Sequence, residues 1–492
     1  MKNVYMIVHE LDINKGGMTT AMLTRSKMFL ENNINGDIIT FDYKIDYTSI
    51  LEKLVNSKKM DPRTKMFNPF IFYKAKSDKS NSRRNSSFYK TVANIFKNNV
   101  EIKENEHISR YFNKKNGEYV AYKNKDGDNY FLDLFENNIR YKRLNFYNKK
   151  LHRIDVFNKD NKLIAEQFYD NNSYLYLYRQ INPSNGNIGK TYLINEQKQF
   201  KNNVAFCSYF LEELIEDSNE NFMICDGPGS FPKMLETNHK FAKKFAVIHI
   251  NHHKNFDGSG AIKQKEDYIL KNTKKINGVI VLTEAQKKDI VKEFEINNVY
   301  VISNFINITD KFKEKQSKKI VGHISRLVPQ KGLPYLIEVA EKVIKENDDI
   351  EFHIYGDGEE KEKLKKLISN KDIENNVKLL GYTDNPLEKI REFGCVVSTS
   401  QFEGQGLSII EAMLLEKPVI AFDIKYGPSD FIKNAENGYL IKNKDTTSMA
   451  SKILELLNNK ELAHQYGIEA RNTIIDLYEP QKLMSKWMEL LN

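Results

Sequence analysis

Two segments in the second half of the chain combine charged residues with glycines, where a strand is expected to give way to a helix. The first, GHISRLVPQKG (322–332), carries Arg326 and Lys331 just after an apolar strand. An arginine can bind a phosphate through two hydrogen bonds, and a lysine adds a point charge. The pair predicts an anion site, although two cations in a loop are more often solvated surface charges.

The second segment, SQFEGQGLSIIEAM (400–413), follows the apolar strand CVVSTS and leads into a predicted helix. Gly404 and Gly406 free the backbone, so that amide groups can approach a ligand closely. The helix N-terminus at Leu407 and Ser408 offers unpaired N–H donors and a partial positive charge. This segment predicts a phosphate site at the start of the helix.

Two carboxylates flank that helix start, Glu403 before it and Glu411 eight residues later inside it. A carboxylate on the helix can accept hydrogen bonds from a ribose diol, which would place a nucleotide over the glycines. The segment is equally compatible with a capped surface helix that carries an ordinary acidic residue.

The composition restricts the class of protein and its compartment. The chain has 492 residues, of which 40% are hydrophobic and 29% charged, so we expect about three domains with real cores. Its three cysteines are widely spaced, which excludes a disulfide scaffold and indicates a reducing compartment. Without a signal peptide or an apolar span, we expect a cytoplasmic protein, with the inner face of the membrane as an alternative place. The net charge of +9 suits a polyanionic partner, but the lack of a basic stripe argues against nucleic acid.

The elements that must position these residues are of two kinds. Apolar strands alternate with helical stretches at the start of the chain and again from about residue 204, which predicts two doubly wound α/β lobes. Between them lie short alternating aromatic segments with 18 Phe or Tyr residues in 101–200, which predicts an antiparallel β-meander inserted in the first lobe. The predicted division is a first lobe (1–76 and 204–305), an inserted meander (77–203), a second lobe (306–479) and a C-terminal helix packing back on the first lobe (480–492). Ligands of such sheets bind beyond the carboxyl ends of the strands. In two lobes of this kind, the carboxyl-end edges of both sheets would face one cleft, and this organisation is typical of an enzyme.

The combined E-x7-E and R-x4-K patterns resemble the retaining GT-B glycosyltransferases of family four. In the first lobe, NKGG (14–17) matches their glycine-rich loop facing the donor diphosphate, and His249 lies where they place a histidine near the donor sugar. The inserted meander, together with HELDINKGGMT, ICDGPGSFPKM, EGQGLSIIEAM and FDIKYGPSDFI, is similar to the TarM/TagE group of Gram-positive wall teichoic acid α-glycosyltransferases.

The resemblance implies a donor site for a UDP-sugar. Arg326 and Lys331 would neutralise the diphosphate, helped by the N–H groups of Gly16 and Gly17. Electrostatic stabilisation of this kind needs no metal ion, and we expect none. A zinc site is an alternative to consider, because the first lobe contains the histidines His239, His249, His252 and His253. The sequence shows no carboxylate or cysteine at ligand spacing from them, which argues against zinc.

The resemblance also implies roles around the sugar and the base. Glu411 would hold the ribose hydroxyls, and Glu403 would face the donor sugar. His249 would bond a sugar hydroxyl or stabilise charge near the reacting carbon. Tyr382 is a candidate neighbour of the uracil, although a tyrosine at a strand end needs no such role.

By resemblance, the expected activity is retaining transfer of a hexose to poly(glycerol phosphate) or poly(ribitol phosphate), with glucose favoured over N-acetylglucosamine. The inserted domain would assemble a homotrimer. Two alternatives stay open: a protein O-glycosyltransferase acting on Ser-rich adhesins, and a non-catalytic polymer-binding protein.

Overall fold

The computed structural model contains three sheets, two of them parallel and one antiparallel. It describes residues 2–13, 16–81, 85, 90, 92–94, 96–97, 99–113, 118–215, 220–255, 259–306 and 319–492. Within these residues, no helix combines the length and apolar character that crossing a bilayer requires.

Strands and helices are numbered in chain order. The strands are β1 (Asn3–Ile7), β2 (Asn35–Ile39), β3 (Met66–Phe67), β4 (Val100–Asn105), β5 (Ile108–Phe112), β6 (Tyr119–Asn124), β7 (Tyr130–Glu136), β8 (Ile139–Tyr147), β9 (Lys150–Phe157), β10 (Leu163–Tyr169), β11 (Leu175–Ile181), β12 (Ile188–Leu193), β13 (Lys198–Phe200), β14 (Asn221–Cys225), β15 (Lys243–Ile248), β16 (Gly278–Val281), β17 (Val299–Val301), β18 (Ile320–Ile324), β19 (Glu351–Tyr355), β20 (Val377–Gly381), β21 (Cys395–Ser398), β22 (Val419–Asp423) and β23 (Gly438–Lys442). The helices are α1 (Gly17–Glu31), α2 (Tyr47–Asn56), α3 (Pro69–Ser80), α4 (Asn203–Leu214), α5 (Phe231–Glu236), α6 (Gln264–Lys271), α7 (Glu284–Phe294), α8 (Leu333–Glu346), α9 (Lys361–Ser369), α10 (Pro386–Ile390), α11 (Leu407–Leu414), α12 (Pro428–Phe431), α13 (Thr446–Asn458), α14 (Lys460–Tyr478) and α15 (Pro480–Leu490).

The first lobe has a seven-stranded parallel sheet in the order β17-β16-β15-β14-β1-β2-β3. Its strands are apolar because helices cover both faces, as is usual for parallel sheets. β1 pairs with both β2 and β14, so the chain leaves this sheet after β3 and returns beside β1. The carboxyl ends of β1, β14 and β15 therefore meet at one edge.

The inserted segment forms a ten-stranded antiparallel sheet in which β4 to β13 lie in sequence order. Alternation buries one face around Leu132, Leu144 and Ile154. Aromatic pairs stack across neighbouring strands, as Tyr119 does on Phe135 with ring centroids 4.5 Å apart. The predicted β-meander is confirmed.

The second lobe has a six-stranded parallel sheet in the order β20-β19-β18-β21-β22-β23. The order reverses between β18 and β21, and the loops after these two strands carry the R-x4-K and E-x7-E segments. A parallel sheet binds its ligand at such a reversal. The prediction of two α/β lobes is confirmed.

The C-terminal helix α15 lies against the first lobe. Trp487 is fully buried and packs edge-to-face on Phe29 of α1, with ring centroids 5.4 Å apart. Lys2 Nζ donates to the carbonyl oxygen of Leu491 at 2.6 Å. The domain boundaries stay predictions; α3 runs past the boundary at 76, and α15 begins at Pro480.

Candidate active site

Lys331 and Glu403, 72 residues apart in sequence, form the centre of the candidate site. Lys331 ends a short 3-10 turn (Pro329–Lys331), and its Nζ lies 2.5 Å from Glu403 Oε1. Ser400 Oγ donates to the same carboxylate oxygen at 2.7 Å. The buried carboxylate is thus held by a cation and a hydroxyl before any ligand arrives.

A glycine makes this approach of the two loops possible. Gly332, directly after Lys331, has a φ of +59°, and a Cβ there would lie 2.2 Å from the carbonyl oxygen of Thr399. The Thr399 hydroxyl in turn donates to the carbonyl oxygen of Lys331 at 3.1 Å. A larger residue at position 332 would push Lys331 away from Glu403.

Arg326 lies on the same loop as Lys331 and is solvent-exposed. Within the described part of the chain, no carboxylate pairs with its guanidinium. A cation that the protein leaves uncompensated at the end of a parallel strand is suited to an anionic ligand.

The N-terminus of α11 is open to a ligand. Gly406 precedes the helix with a φ of +87°, and no side chain of the described residues caps the first N–H groups at Leu407 and Ser408. Unpaired N–H groups at a helix start bind anions such as phosphate.

Glu411, one turn further along α11, is a strongly perturbed carboxyl group. Burial raises its pKa to about 7, and the described residues give it no hydrogen-bond partner. A hydrogen bond from a ligand hydroxyl would therefore stabilise the charged form of Glu411.

The glycine-rich loop of the first lobe lies only partly within the described residues, since Asn14 and Lys15 fall outside them. Gly16 precedes α1 and Gly17 begins it. Among the described residues, no side chain caps this helix start and no atom lies within 4 Å of where a Cβ at either glycine would stand. The space beside this helix start is thus open.

His249 lies directly after β15 and contacts the second lobe. A Cβ on Gly404 would lie 1.7 Å from the carbonyl oxygen of His249, so only glycine allows this approach. The ring Nε2 lies 2.8 Å from Asp226 Oδ1. The structure therefore brings His249 beside the loop of Glu403.

The network behind His249 is not apparent from the sequence. Asp226 follows β14, Arg25 comes from α1, and their side chains form a buried ion pair. The only sequence signal is an aspartate directly after the apolar strand in ICDG. Ser400 beside Glu403 was likewise missed, because a serine in a loop carries no signal of its own.

Tyr382 is not brought into this cluster by any contact among the described residues. Its side chain follows β20 and is 63% exposed. The suggested role beside the uracil stays a prediction.

The expectation that no carboxylate accompanies the histidines is wrong, because Glu293 lies beside two of them. It lies on α7, with Oε2 3.3 Å from His252 Nε2 and 3.1 Å from His253 Nε2. His253 Nδ1 faces the carbonyl oxygen of Gly260 at 2.9 Å. A carboxylate does accompany these two histidines, and the three groups together could hold a cation or share a proton. His249 bonds Asp226 instead.

Polar contacts join the two lobes. Asn304 Nδ2 donates to Gln405 Oε1 at 2.8 Å. Asp289 of α7 accepts from Lys425 Nζ and from the Tyr426 hydroxyl, both at 2.7 Å. These contacts hold the two strand edges around one cleft.

The chain is similar in sequence to known glycosyltransferases. A sequence profile described as "Glycosyl transferases group 1" matches residues 304–473. The poly(ribitol-phosphate) alpha-N-acetylglucosaminyltransferase of Staphylococcus aureus (strain COL) is 51% identical over 492 residues, covering 100% of both chains. The poly(glycerol-phosphate) alpha-glucosyltransferase of Bacillus subtilis (strain 168) is 27% identical over 522 residues, covering 99% of this chain and 74% of the relative.

The fold is matched by a solved structure as well. A crystal structure of a mutant of S. aureus TarM, in complex with Fondaparinux, alpha-GlcNAc-glycerol and UDP, has a TM-score of 0.95 and 50% identity. The similarity covers 100% of both chains. The predicted GT-B fold is confirmed.

Proposed function

Since the chain belongs to the family of glycosyltransferases that includes S. aureus TarM, we propose that it transfers α-linked N-acetylglucosamine from a UDP-sugar to poly(ribitol phosphate). The observation that carries this proposal is the identity of 51% along both full chains. The N-acetylglucosamine and ribitol choices replace the initial preference for glucose and glycerol, because the glucosyltransferase relative is only 27% identical.

The donor site is proposed at the second-lobe edge of the cleft. Arg326 and Lys331 would contact the diphosphate, together with the uncapped N–H groups of Leu407 and Ser408. Glu411 would accept hydrogen bonds from the ribose, which fits a carboxyl group that has no partner among the described residues and a pKa of about 7. The charges available on these residues fit transfer without a metal ion.

The reaction is proposed to be a same-face displacement. As the UDP leaves, negative charge grows on its phosphate oxygens, where Arg326 and Lys331 stabilise it. The acceptor hydroxyl attacks the anomeric carbon from the side of the leaving phosphate, and that phosphate takes the proton. Glu403 Oε1 already accepts from Lys331 and Ser400, which makes it a poor nucleophile and favours this route over a covalent intermediate.

In this scheme, Glu403 acts on the donor sugar through charge. A carboxylate beside the anomeric carbon stabilises the positive charge that develops there. Lys331 can donate to Glu403 and to a phosphate oxygen at once, because an ammonium group has three N–H donors. The 2.5 Å contact therefore links the two charges that grow during transfer.

The inserted sheet is proposed to assemble three copies of the chain. Its edge strand β4 is exposed along its whole length, and Val100 and Ile102 are 42% and 54% exposed. An exposed apolar edge strand is a ready pairing surface. Ile102→Lys should lower the mass seen by light scattering from trimer to monomer.

The proposed compartment is the cytoplasm, with the polymer substrate at the inner face of the membrane. The chain carries a net charge of +9, which suits a polymer with a negative charge at every repeat.

A transfer assay tests the function. UDP-N-acetylglucosamine and UDP-glucose, each radiolabelled, are incubated with the protein and with purified ribitol-phosphate or glycerol-phosphate polymer. We expect label in the ribitol polymer from UDP-N-acetylglucosamine, with the α configuration by NMR. Label in a Ser-rich polypeptide alone would favour the protein O-glycosyltransferase, and no transfer at all would favour a polymer-binding protein.

A further inference from the structure

We propose that Asp226 is a positioning residue for the transfer reaction: it fixes the orientation and the tautomer of His249, and Arg25 and Trp487 hold Asp226 in turn. This inference rests on the proposed function, because it assigns His249 to the donor side of the cleft. It extends the active site to the C-terminal helix.

The sheet itself sets the position of the carboxylate. Asp226 and His249 are each the first residue after neighbouring parallel strands, β14 and β15. The backbone N–H of Asp226 donates to the carbonyl oxygen of Ile7 in β1 at 3.0 Å. Asp226 Oδ1 then lies 2.8 Å from His249 Nε2. Asp226 is thus anchored to the end of a strand rather than to a loose loop.

The charge state of Asp226 determines which ring nitrogen carries hydrogen. Burial alone would raise the pKa of this carboxyl, but the charge of Arg25 and the hydrogen bond to His249 together lower it. An ionised carboxylate only accepts hydrogen bonds. His249 must therefore carry its hydrogen on Nε2, which leaves Nδ1 to bind something else.

Nδ1 of His249 is the nitrogen left for a ligand. Among the described residues, no protein group bonds it, and the side chain remains 11% exposed. The backbone of His249 touches Gly404, next to Glu403. In the neutral ring, Nδ1 is an acceptor, and it suits a sugar hydroxyl beside the reacting carbon.

The other oxygen of Asp226 is bound by Arg25, which is 4% exposed. The guanidinium of Arg25 lies 5.0 Å from the ring centroid of Trp487, within the range of a cation–π interaction. Trp487 belongs to α15, so the end of the chain closes over the ion pair. Buried ion pairs add little net stability. The buried Arg25–Asp226 pair is better explained by a role in orienting the His249 ring, to which Asp226 is bonded.

Steady-state transfer assays on full-length Asp226→Asn, together with UDP binding by calorimetry, test the proposal. An amide can present either a donor or an acceptor to the ring, so the tautomer is no longer fixed. We expect kcat to fall about 10- to 100-fold, as when other orienting partners of histidine are removed. The Kd for UDP should stay within about twofold.

Asp133→Asn is the matched control. Asp133 is also buried and ion-paired, with Oδ1 2.7 Å from Arg143 Nε, but it lies in the inserted sheet. This variant removes a similar charge without touching His249. We expect it to lower Tm as Asp226→Asn does and to leave kcat unchanged.

Two further readouts separate positioning from stability. Nitrogen NMR of the His249 ring should show hydrogen on Nε2 in the wild type and a mixture in Asp226→Asn. Trp487→Leu keeps the Asp226 carboxylate but removes the cation–π contact with Arg25, and we expect it to lower kcat by roughly fivefold. This variant serves as the kinetic test if Asp226→Asn does not fold.

Wild-type kcat in Asp226→Asn, or hydrogen on Nδ1 in the wild-type ring, would overturn the proposal. A wild-type protein that transfers no sugar would contradict the proposed function instead, and the ring nitrogen signals would still decide the role of Asp226.

Discussion

The two sides of the cleft differ in how far the protein itself satisfies their polar groups. On the first-lobe side, His249, Asp226 and Arg25 bond one another in a largely buried network. On the second-lobe side, Arg326 and Glu411 have no partner among the described residues. Buried polar groups are normally bonded, so the buried carboxyl of Glu411 is available to a ligand, and Arg326 is available as an exposed cation. The His249 network is therefore formed before any ligand binds, whereas in the proposed function the donor would supply the partners of Arg326 and Glu411.

Lys331 and Glu403 belong to neither type, because they satisfy each other in the free protein at 2.5 Å. A bound diphosphate would give Lys331 a second anion and would leave the Glu403 contact in place. In the proposed reaction, Lys331 contacts the diphosphate and Glu403 faces the sugar, so this pair serves both donor binding and turnover. Its loss should therefore have the largest effect on the reaction.

Replacing Glu403 with alanine should abolish turnover and spare UDP binding. Removal of one such electrostatic group lowers kcat by about 100-fold or more. Radiolabel transfer measures kcat, and calorimetry measures the Kd for UDP. Wild-type-like transfer by Glu403→Ala would remove this residue from the site.

Arg326→Ala should have the second-largest effect, a decrease in kcat/KM for the UDP-sugar. The guanidinium is the exposed cation of the proposed diphosphate site, and a charge-assisted contact contributes about 1.5–3 kcal/mol, or roughly 10- to 150-fold in kcat/KM for the UDP-sugar. Lys149→Ala is the control, since Lys149 is an exposed cation that pairs with Asp128 in the inserted sheet. Equal kinetics in both variants would place the diphosphate elsewhere.

UDP binding should depend on pH through Glu411. Burial raises its pKa to about 7, so the carboxylate, the better acceptor for ribose hydroxyls, predominates only above that pH. Affinity should fall about tenfold from pH 8 to pH 6 if only the ionised form binds. Calorimetry on the wild type and on Glu411→Gln isolates this group from the phosphates. The same slope in both proteins would contradict the assignment.

Salt should act more on the polymer than on the donor. Exposed charges that attract a long anion are screened by salt, whereas contacts inside the cleft are screened less. Raising NaCl from 50 to 300 mM should increase the KM for polymer several-fold and the KM for the UDP-sugar less. Equal shifts would argue against a polyanionic acceptor.

Removing divalent cations should have the smallest effect. In the proposed site Arg326 and Lys331 would supply the positive charge at the diphosphate, so EDTA should change kcat by less than about twofold. A metal-dependent loss would point instead to His252, His253 and Glu293, the group among the described residues that could hold an ion. Repeating the assay with Glu293→Gln would check this.

The sequence allowed the second-lobe side to be predicted better than the first. Glu403, Gly406 and Glu411 lie within nine residues, between an apolar strand and a helix, so their neighbourhood in space follows from local structure. The alternating aromatic segments of the insertion likewise specified antiparallel strands, because turns and period-two patterns are local signals.

The network behind His249 could not be predicted in this way. Arg25 and Asp226 are 201 residues apart, and Trp487 comes from the end of the chain. Their contact depends on the order of strands in the sheet, which no local pattern encodes. The same holds for Glu293, which lies 41 residues from His252.

The most direct test of the contrast between the two sides is to measure kcat and the Kd for UDP together on two variants, Glu411→Gln and His249→Ala. We expect opposite outcomes for the two variants. Glu411→Gln should raise the Kd about tenfold at pH 8 with a smaller change in kcat, because a lost bond to a charged group is about 1.5–3 kcal/mol. His249→Ala should lower kcat at least tenfold with the Kd unchanged. If both variants changed Kd and kcat in the same proportion, the division into a built side and a donor-completed side would be contradicted.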